Sequence, residues 1–245
     1  MKKIIIPTIT KTGFIEKVEP VPNLILGTTV GLVKSINEDR SGCVLDGSSL
    51  RICVADGHWG EASAEIIVDR WIKKKLVFPT NRVEVLSEVI KIEEKLFKLF
   101  GKTNMNPDLE FTPEASFISI QIKKNTLKAI SYGDTRLFVA RKGKLKTQLA
   151  TRETWLGAFS KLGLRNRISV REGLVFEEIQ LQEADVVLIF TDGIDQCVYE
   201  KDTLSSQFLA KQTKTDAVKK IFDSIFDAVF AAGAEDNATL AVLKV

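Results

Sequence analysis

The chain has 245 residues, 44% of them hydrophobic and 27% charged. That is the make-up of an ordinary globular protein able to bury a sizeable core, and it excludes disorder, collagen-like repeats and coiled coil. A net charge of only +3, from 35 basic and 32 acidic residues, implies no polyanion partner.

Residues 1–7 carry a run of only three apolar side chains, Ile4 to Ile6, before Pro7, too few for a secretory signal. No apolar run approaches the roughly 20 residues of a membrane span. Residues 4–6 and 24–26 read as edge strands. Cys43, Cys53 and Cys197 are widely spaced and form no CxxC pair, which fits a reducing cytoplasm better than a disulfide framework or a zinc site. Residues 50–55 predict a short strand ending at the turn signal Asp56-Gly57. Apolar residues at helical spacing predict helices over residues 61–76 and 83–100, the second stopped by Gly101. Residues 104–113 read as a loop.

Beyond that point the period changes to that of strands. Residues 116–122 and 126–132 predict one hairpin, and residues 137–140 and 145–149 predict another about Lys142-Gly143. Residues 175–181 and 186–190 predict further strands, 216–232 a third helix and 239–245 a last strand. Connections this short force antiparallel pairing. Helices and strands in blocks point to an α+β fold, sheet packed on sheet with helices outside. No repeat or linker divides the chain, so residues 1–245 are expected to form a single domain. Residues 150–174 have weak periodicity and read as irregular.

Acidic residues recur beside these strands, in Asn37-Glu38-Asp39, Asp56-Gly57, Gly133-Asp134, Asp192-Gly193 and Asp236-Asn237. Singly, an Asp-Gly pair is a turn signal. Together, several buried strands each deliver a carboxylate at one end. Two like charges 4 Å apart repel by about 4 kcal/mol at an effective dielectric of 20. A convergent set would therefore need a cation, and oxygen-only ligands select hard ions such as magnesium or manganese. The chain has one histidine, His58, two residues after Asp56.

Five segments in order, Asn37-Glu38-Asp39, Ala55-Asp56-Gly57-His58, Gly133-Asp134-Thr135-Arg136, Thr191-Asp192-Gly193 and Asp236-Asn237-Ala238-Thr239, closely resemble the successive motifs of the type 2C metal-dependent serine/threonine protein phosphatases, the PPM family. The resemblance runs from about residue 31 to the C-terminus. It implies an α-β-β-α sandwich of two stacked antiparallel sheets, in agreement with the blocks read above. It also implies a centre of two manganese or magnesium ions. Asp56 would bridge both, Asp192 and Asp236 would bind one, and Glu38 with the Gly57 carbonyl would serve the other. Asp39 would orient metal-bound water, and Asp134 would bind a weaker third metal. A bridging hydroxide would attack the phosphorus of phosphoserine or phosphothreonine, with His58 as general acid to the leaving alkoxide. The implied partner is a phosphorylated protein, not nucleic acid or membrane, and the implied state is a cytoplasmic monomer.

Four departures stand out. Lys34 replaces the arginine that typically grips the substrate phosphate, keeping the charge but losing the bidentate fork. Trp59 replaces a glycine, and it either lines the cleft rim, as an apolar plate facing substrate side chains, or packs beneath it. Asp195 lies three residues after Asp192, where the family often has an acid four after, which puts the third metal in question. The flap near residues 150–174 is short. A catalytically silent protein that binds a phosphoprotein or regulatory partner is the alternative, and an enzyme for phosphorylated small molecules is a third reading.

Overall fold

The computed structural model describes residues 2–6, 11–73, 75–101, 112–149, 154–158, 170–194, 206–215 and 217–245. One sheet holds, in spatial order, β1 (Lys2–Ile5), β4 (Arg40–Asp46), β5 (Ser49–His58), β6 (Glu114–Lys123), β7 (Thr126–Tyr132) and β11 (Val175–Gln180), with β10 (Leu156–Gly157) beside the start of β6. The other runs β2 (Ile15–Val21), β3 (Leu24–Thr29), β13 (Ala238–Lys244), β12 (Asp185–Phe190), β8 (Arg136–Arg141) and β9 (Lys144–Leu149). The pairings are antiparallel. Both expected hairpins form, with Lys124 at φ 55° and Lys142 at φ 50° in their tight turns. Left-handed turn residues match the twist of the strands they join.

The two-residue period of a strand sorts the core into three layers. Ile52 and Val54 of β5 meet Val187 and Ile189 of β12 between the sheets. Cys53 and Ala55 face outward, against α1 (Ala62–Trp71) and α2 (Arg82–Phe100). On the opposite outer face Val186, Leu188 and Phe190 pack under α4 (Ser206–Gln212) and α5 (Val218–Ala231). These strands are buried on both faces, which is why their sequences are almost continuously apolar. A single helical turn, α3 (Val170–Gly173), leads into β11. The architecture is the α-β-β-α sandwich that the sequence leads one to expect.

Four local expectations need correction. Residues 24–26 belong to β3, which is interior, paired with both β2 and β13. The edge is β2, whose period of two is hidden by a bulge between Val18 and Val21 beside Pro20. Asp56-Gly57 is not a turn: β5 runs on through His58, which pairs with Glu114. Helix α1 stops at Trp71 rather than residue 76, because the Arg51 guanidinium donates to the carbonyls of Trp71 and Lys73 and closes the helix end. Gly101 does end α2, but with a right-handed φ of −71°. Cys43 and Cys53 are buried free thiols. Asp195, Cys197 and most of residues 150–174 lie outside the described residues.

Candidate active site

Register, rather than proximity in sequence, assembles the site. Phe190 at the end of β12 pairs with Leu240 near the start of β13 and with Arg136 at the start of β8. Thr29 at the end of β3 pairs with Ala238, the first residue of β13. In the facing sheet, Arg40 at the start of β4 pairs with Ala55, and Asp56 pairs with Ser116. All of these ends lie at one edge of the sandwich. The segments just beyond them therefore meet there, carrying Glu38 and Asp39, Asp56, Asp134, Asp192 and Asp236.

The electrostatics record the meeting. Burial raises the Asp56 carboxyl well above the usual carboxylate range, and the charges of Asp192, Asp39 and Asp134 push it further. Asp192 is raised by burial and by Asp134 and Asp236, against a hydrogen bond with Asp56 and the nearby His58, which lower it. Lys34 Nζ lies 3.1 Å from Asp236 Oδ1. Burial works against the Lys34 charge, but Asp236, with Glu38 and Asp192 behind it, outweighs that and raises its pKa. His58 Nε2 is 3.8 Å from Asp56 Oδ1. Asp39, Asp56, Asp134, Asp192 and Asp236 thus feel one another's charge, Glu38 joins them through Lys34, and His58 stands beside Asp56.

A buried layer of hydroxyls and amides holds the acids in place. Asn37 Nδ2 donates to Thr28 Oγ1 at 2.8 Å, and the Thr28 and Thr239 hydroxyls share a hydrogen bond of 2.7 Å. The Thr239 N–H donates to Thr191 Oγ1, so the Thr191 hydroxyl donates to Asp39 Oδ2 at 2.8 Å. Burial lifts Asp39 to about 7; the hydrogen bonds from Thr191 and Thr239 oppose this, and Asp192 and Asp236 add to it. Asn237 ties a loop: its Nδ2 donates to the carbonyls of Val30 and Ile36, and its Oδ1 accepts the Glu38 N–H. Arg40 spans the carbonyls of Asn37 and Asp39 and pairs with Glu61. Sequence reasoning gave the supporting hydroxyls, amides and Arg40 no role, although Asn37, Thr191, Asn237 and Thr239 stand in the quoted motifs. The one available signal was their position, polar residues flanking the acids at the ends of otherwise apolar strands.

Gly57 fits its place for a steric reason. A Cβ there would collide with the backbone carbonyl of Glu38, so glycine lets the two segments touch. The Gly60 N–H is hydrogen-bonded to the Glu38 carboxylate. Trp59, between them, is half-exposed and holds φ 61°, a left-handed backbone that costs a non-glycine residue about 1–2 kcal/mol. Its exposure favours the rim over packing beneath. Trp155 comes from the short flap, and its ring centroid stands 5.2 Å from that of His58. Leu156-Gly157 pins that segment to β6 opposite Ala115 and Glu114. Thr135 bonds Ser116 and so anchors the turn carrying Asp134.

The residues fit a hard divalent cation. The donors are oxygens only, and Asp56 Oδ2 and Asp134 Oδ1 are buried with no hydrogen-bond partner. Burial first, and then mutual repulsion, raises the carboxyls, and a cation would relieve the repulsion. Among the described residues no three acids close on one point as a finished cage. The arrangement is a cluster of clamped acids with unspent lone pairs.

No curated relative matches the chain by sequence. Solved structures match it well in fold. A point variant of a bacterial serine phosphatase has a TM-score of 0.72 at 14% identity, covering 93% of this chain and 100% of that one. The Mycobacterium tuberculosis serine/threonine phosphatase PstP/Ppp has a TM-score of 0.65 at 19% identity, covering 91% and 97%. The catalytic domain of PstP in complex with two manganese ions has a TM-score of 0.64 at 18% identity, covering 90% and 96%. The family model of stage II sporulation protein E (SpoIIE) matches residues 88–245, more than half of the chain. The chain belongs to the SpoIIE family, whose domain is of the type 2C phosphatase kind that the five motifs resemble.

Proposed function

We propose that the protein is a metal-dependent phosphatase that hydrolyses phosphoserine or phosphothreonine on proteins. The observation that carries this reading is the convergence of Asp56, Asp192 and Asp236 at one end of the sandwich, where strands of both sheets terminate, with a buried Asp56 oxygen left unpaired. The fold shared with serine/threonine phosphatases supports it, as do the manganese ions of PstP. In this reading Asp56, Asp192, Asp236, Glu38 and the Gly57 carbonyl hold two manganese or magnesium ions, and Asp134 contributes to a weaker third site. When bound, such ions neutralise phosphoryl charge and lower the pKa of water toward neutrality.

The protein's own groups supply the rest. Asp39, clamped by the Thr191 and Thr239 hydroxyls, would orient the water held at the metal site. The Lys34 ammonium, at the rim, holds a phosphoryl oxygen. His58 stands beside Asp56 and protonates the departing serine or threonine alkoxide, a step for which an imidazole is suited near neutral pH. The intact acid set disfavours the silent alternative.

Hydrolysis of p-nitrophenyl phosphate and of a phosphoserine peptide tests the proposal. The expected result is manganese-stimulated turnover that a chelator removes and Asp192→Asn abolishes. His58→Ala is expected to slow the phosphopeptide far more than p-nitrophenyl phosphate, whose leaving group needs no proton. Absence of manganese-stimulated turnover of both substrates would overturn the reading.

A further inference from the structure

Of the ten large apolar side chains exposed among the described residues, Leu32, Val33, Ile36 and Trp59 flank Lys34 and His58 in the chain, and Phe14 follows Gly13, whose N–H bonds the Gly31 carbonyl. Val33 is 70% exposed and Ile36 56%, and Lys34 lies between them in sequence. Exposed apolar groups gathered at one place mark a binding surface, whereas scattered ones need no explanation. Among the described residues, the other five exposed apolar side chains, Ile5, Val77, Val83, Phe97 and Leu99, lie on β1 and on or just before α2.

The loop that carries them is held rigidly. Asn237 bonds the carbonyls at Val30 and Ile36, the Leu32 N–H donates to the Ala234 carbonyl at 2.8 Å, and the Gly13 N–H donates to that of Gly31 at 2.9 Å. That last bond brings Phe14 alongside Leu32. Leu32, Val33 and Ile36 are therefore presented outward by a fixed backbone, which a partner can engage without first ordering it. Trp59 precedes Gly60, whose N–H is bonded to Glu38, and keeps a strained left-handed backbone there. Strain of this kind persists where the surrounding structure imposes it, commonly at functional sites.

We infer that this rim is the substrate-selecting surface of the phosphatase, and that it takes phosphoserine or phosphothreonine segments with apolar residues flanking the phosphorylated one. The inference rests on the phosphatase reading of the same site. A cation in the midst of apolar side chains complements a dianionic phosphate bordered by apolar neighbours. Phe14 also carries the Lys11 ammonium over its ring, 5.4 Å from the centroid, so a preference for acidic flanks is the competing outcome of the peptide series and overturns the inference.

The experiment compares phosphoserine peptides alike except for flanking Leu, Val or Phe against flanking Asp, Lys or Ser. Two quantities are read: kcat/KM with manganese, and Kd by anisotropy of the labelled peptides. The expected preference for apolar flanks is about tenfold or more, the value of one well-buried side chain. In the double variant Val33→Ser, Ile36→Ser the ratio is expected to fall toward one, and a ratio within one protein is insensitive to partial loss of folded enzyme. Turnover of p-nitrophenyl phosphate without any flank preference overturns this inference and leaves the phosphatase standing. A preference that survives in the double variant overturns it as well. Dimerisation that the double variant abolishes, without flank preference, assigns the rim to a second copy and overturns it. No turnover of any substrate overturns both readings.

Discussion

The side-chain carbonyl of Asn237 accepts the backbone N–H of Glu38 at 2.8 Å, joining residues 199 positions apart. Through its amide group the same side chain holds the carbonyls of Val30 and Ile36, so one buried residue sets both ends of the loop bearing Lys34. Asn237→Ala leaves a buried N–H and two carbonyls without this partner. The expected cost is about 2–4 kcal/mol of stability, together with weaker manganese binding because Glu38 loses its anchor. Thermal melting with a manganese titration measures both. A variant with unchanged metal affinity would show that the Glu38 position does not depend on this clamp.

Gly193 follows Asp192, and a Cβ there would run into the backbone carbonyl of Asn237. Backbone cannot swing aside as a side-chain tip can. Gly193→Ala is therefore expected to force Asp192 away from Asp236 and to destabilise the fold by about 2–4 kcal/mol. The readouts are soluble yield, melting temperature and manganese stoichiometry. Normal values in all three would mean that the two segments are not in contact.

The acid cluster trades stability for a binding function. Asp56 is buried among Asp192, Asp39 and Asp134 with an unpaired oxygen, so neutralising it should relieve repulsion in the metal-free protein. Asp56→Asn is expected to raise the melting temperature measured in chelator by about 3–8 °C. Phosphatase turnover with manganese is expected to fall by more than about 100-fold. A metal-free melting temperature that drops instead would show the carboxylate to be structurally required.

The pH dependence of the metal-free protein follows from the same shifts. The folded protein raises Asp39 to about 7, and raises Asp56 and Asp192 as well, above their ordinary unfolded values. A raised carboxyl binds its proton more tightly in the folded state. Its contribution to stability is complete below the unfolded pKa, near 4, and is lost as pH rises through the folded one, about 7 for Asp39. In chelator the melting temperature is thus expected to fall by about 5–10 °C between pH 5 and pH 8. Manganese at pH 8 should restore it. A flat profile in chelator would mean that these acids stay ionised without help.

The fold was largely legible because its strands are apolar on both faces and its turns are short. The two-residue loops at Lys124-Asn125 and Lys142-Gly143 fix antiparallel neighbours. The apolar stripe through Val218, Ile221, Phe222, Ile225 and Val229 fixes the helix that covers the second sheet. What escaped has local causes: the bulge in β2 blurs its alternation, and Asp56-Gly57, a turn signal by composition, is carried in strand form by its pairing with β6. At the site the acids were visible as residue types, while their support was not. Thr28, Thr191, Thr239 and Asn237 act through hydrogen bonds that span up to 211 positions, and no local pattern announces such partners. The apolar rim was hidden for the opposite reason, since Leu32, Val33 and Ile36 look like ordinary core residues until their exposure is known.

Lys34 stands where the type 2C phosphatase pattern that the sequence resembles has an arginine, and its single ammonium is engaged with Asp236 Oδ1 at 3.1 Å. A point charge on a flexible stem must divide itself between that carboxylate and an incoming phosphoryl oxygen. A guanidinium fork can meet both at once, with two parallel hydrogen bonds left for the phosphate. Lys34→Arg is therefore expected to lower KM for a phosphoserine peptide by about 3- to 10-fold with kcat nearly unchanged, because the gain is made equally in the ground and transition states. Lys34→Ala is expected to raise KM by a similar factor and also to free Asp236, tightening manganese binding. Steady-state kinetics at saturating manganese separate the two constants. A KM indifferent to both substitutions would remove Lys34 from the substrate site and leave it as a counter-charge to Asp236.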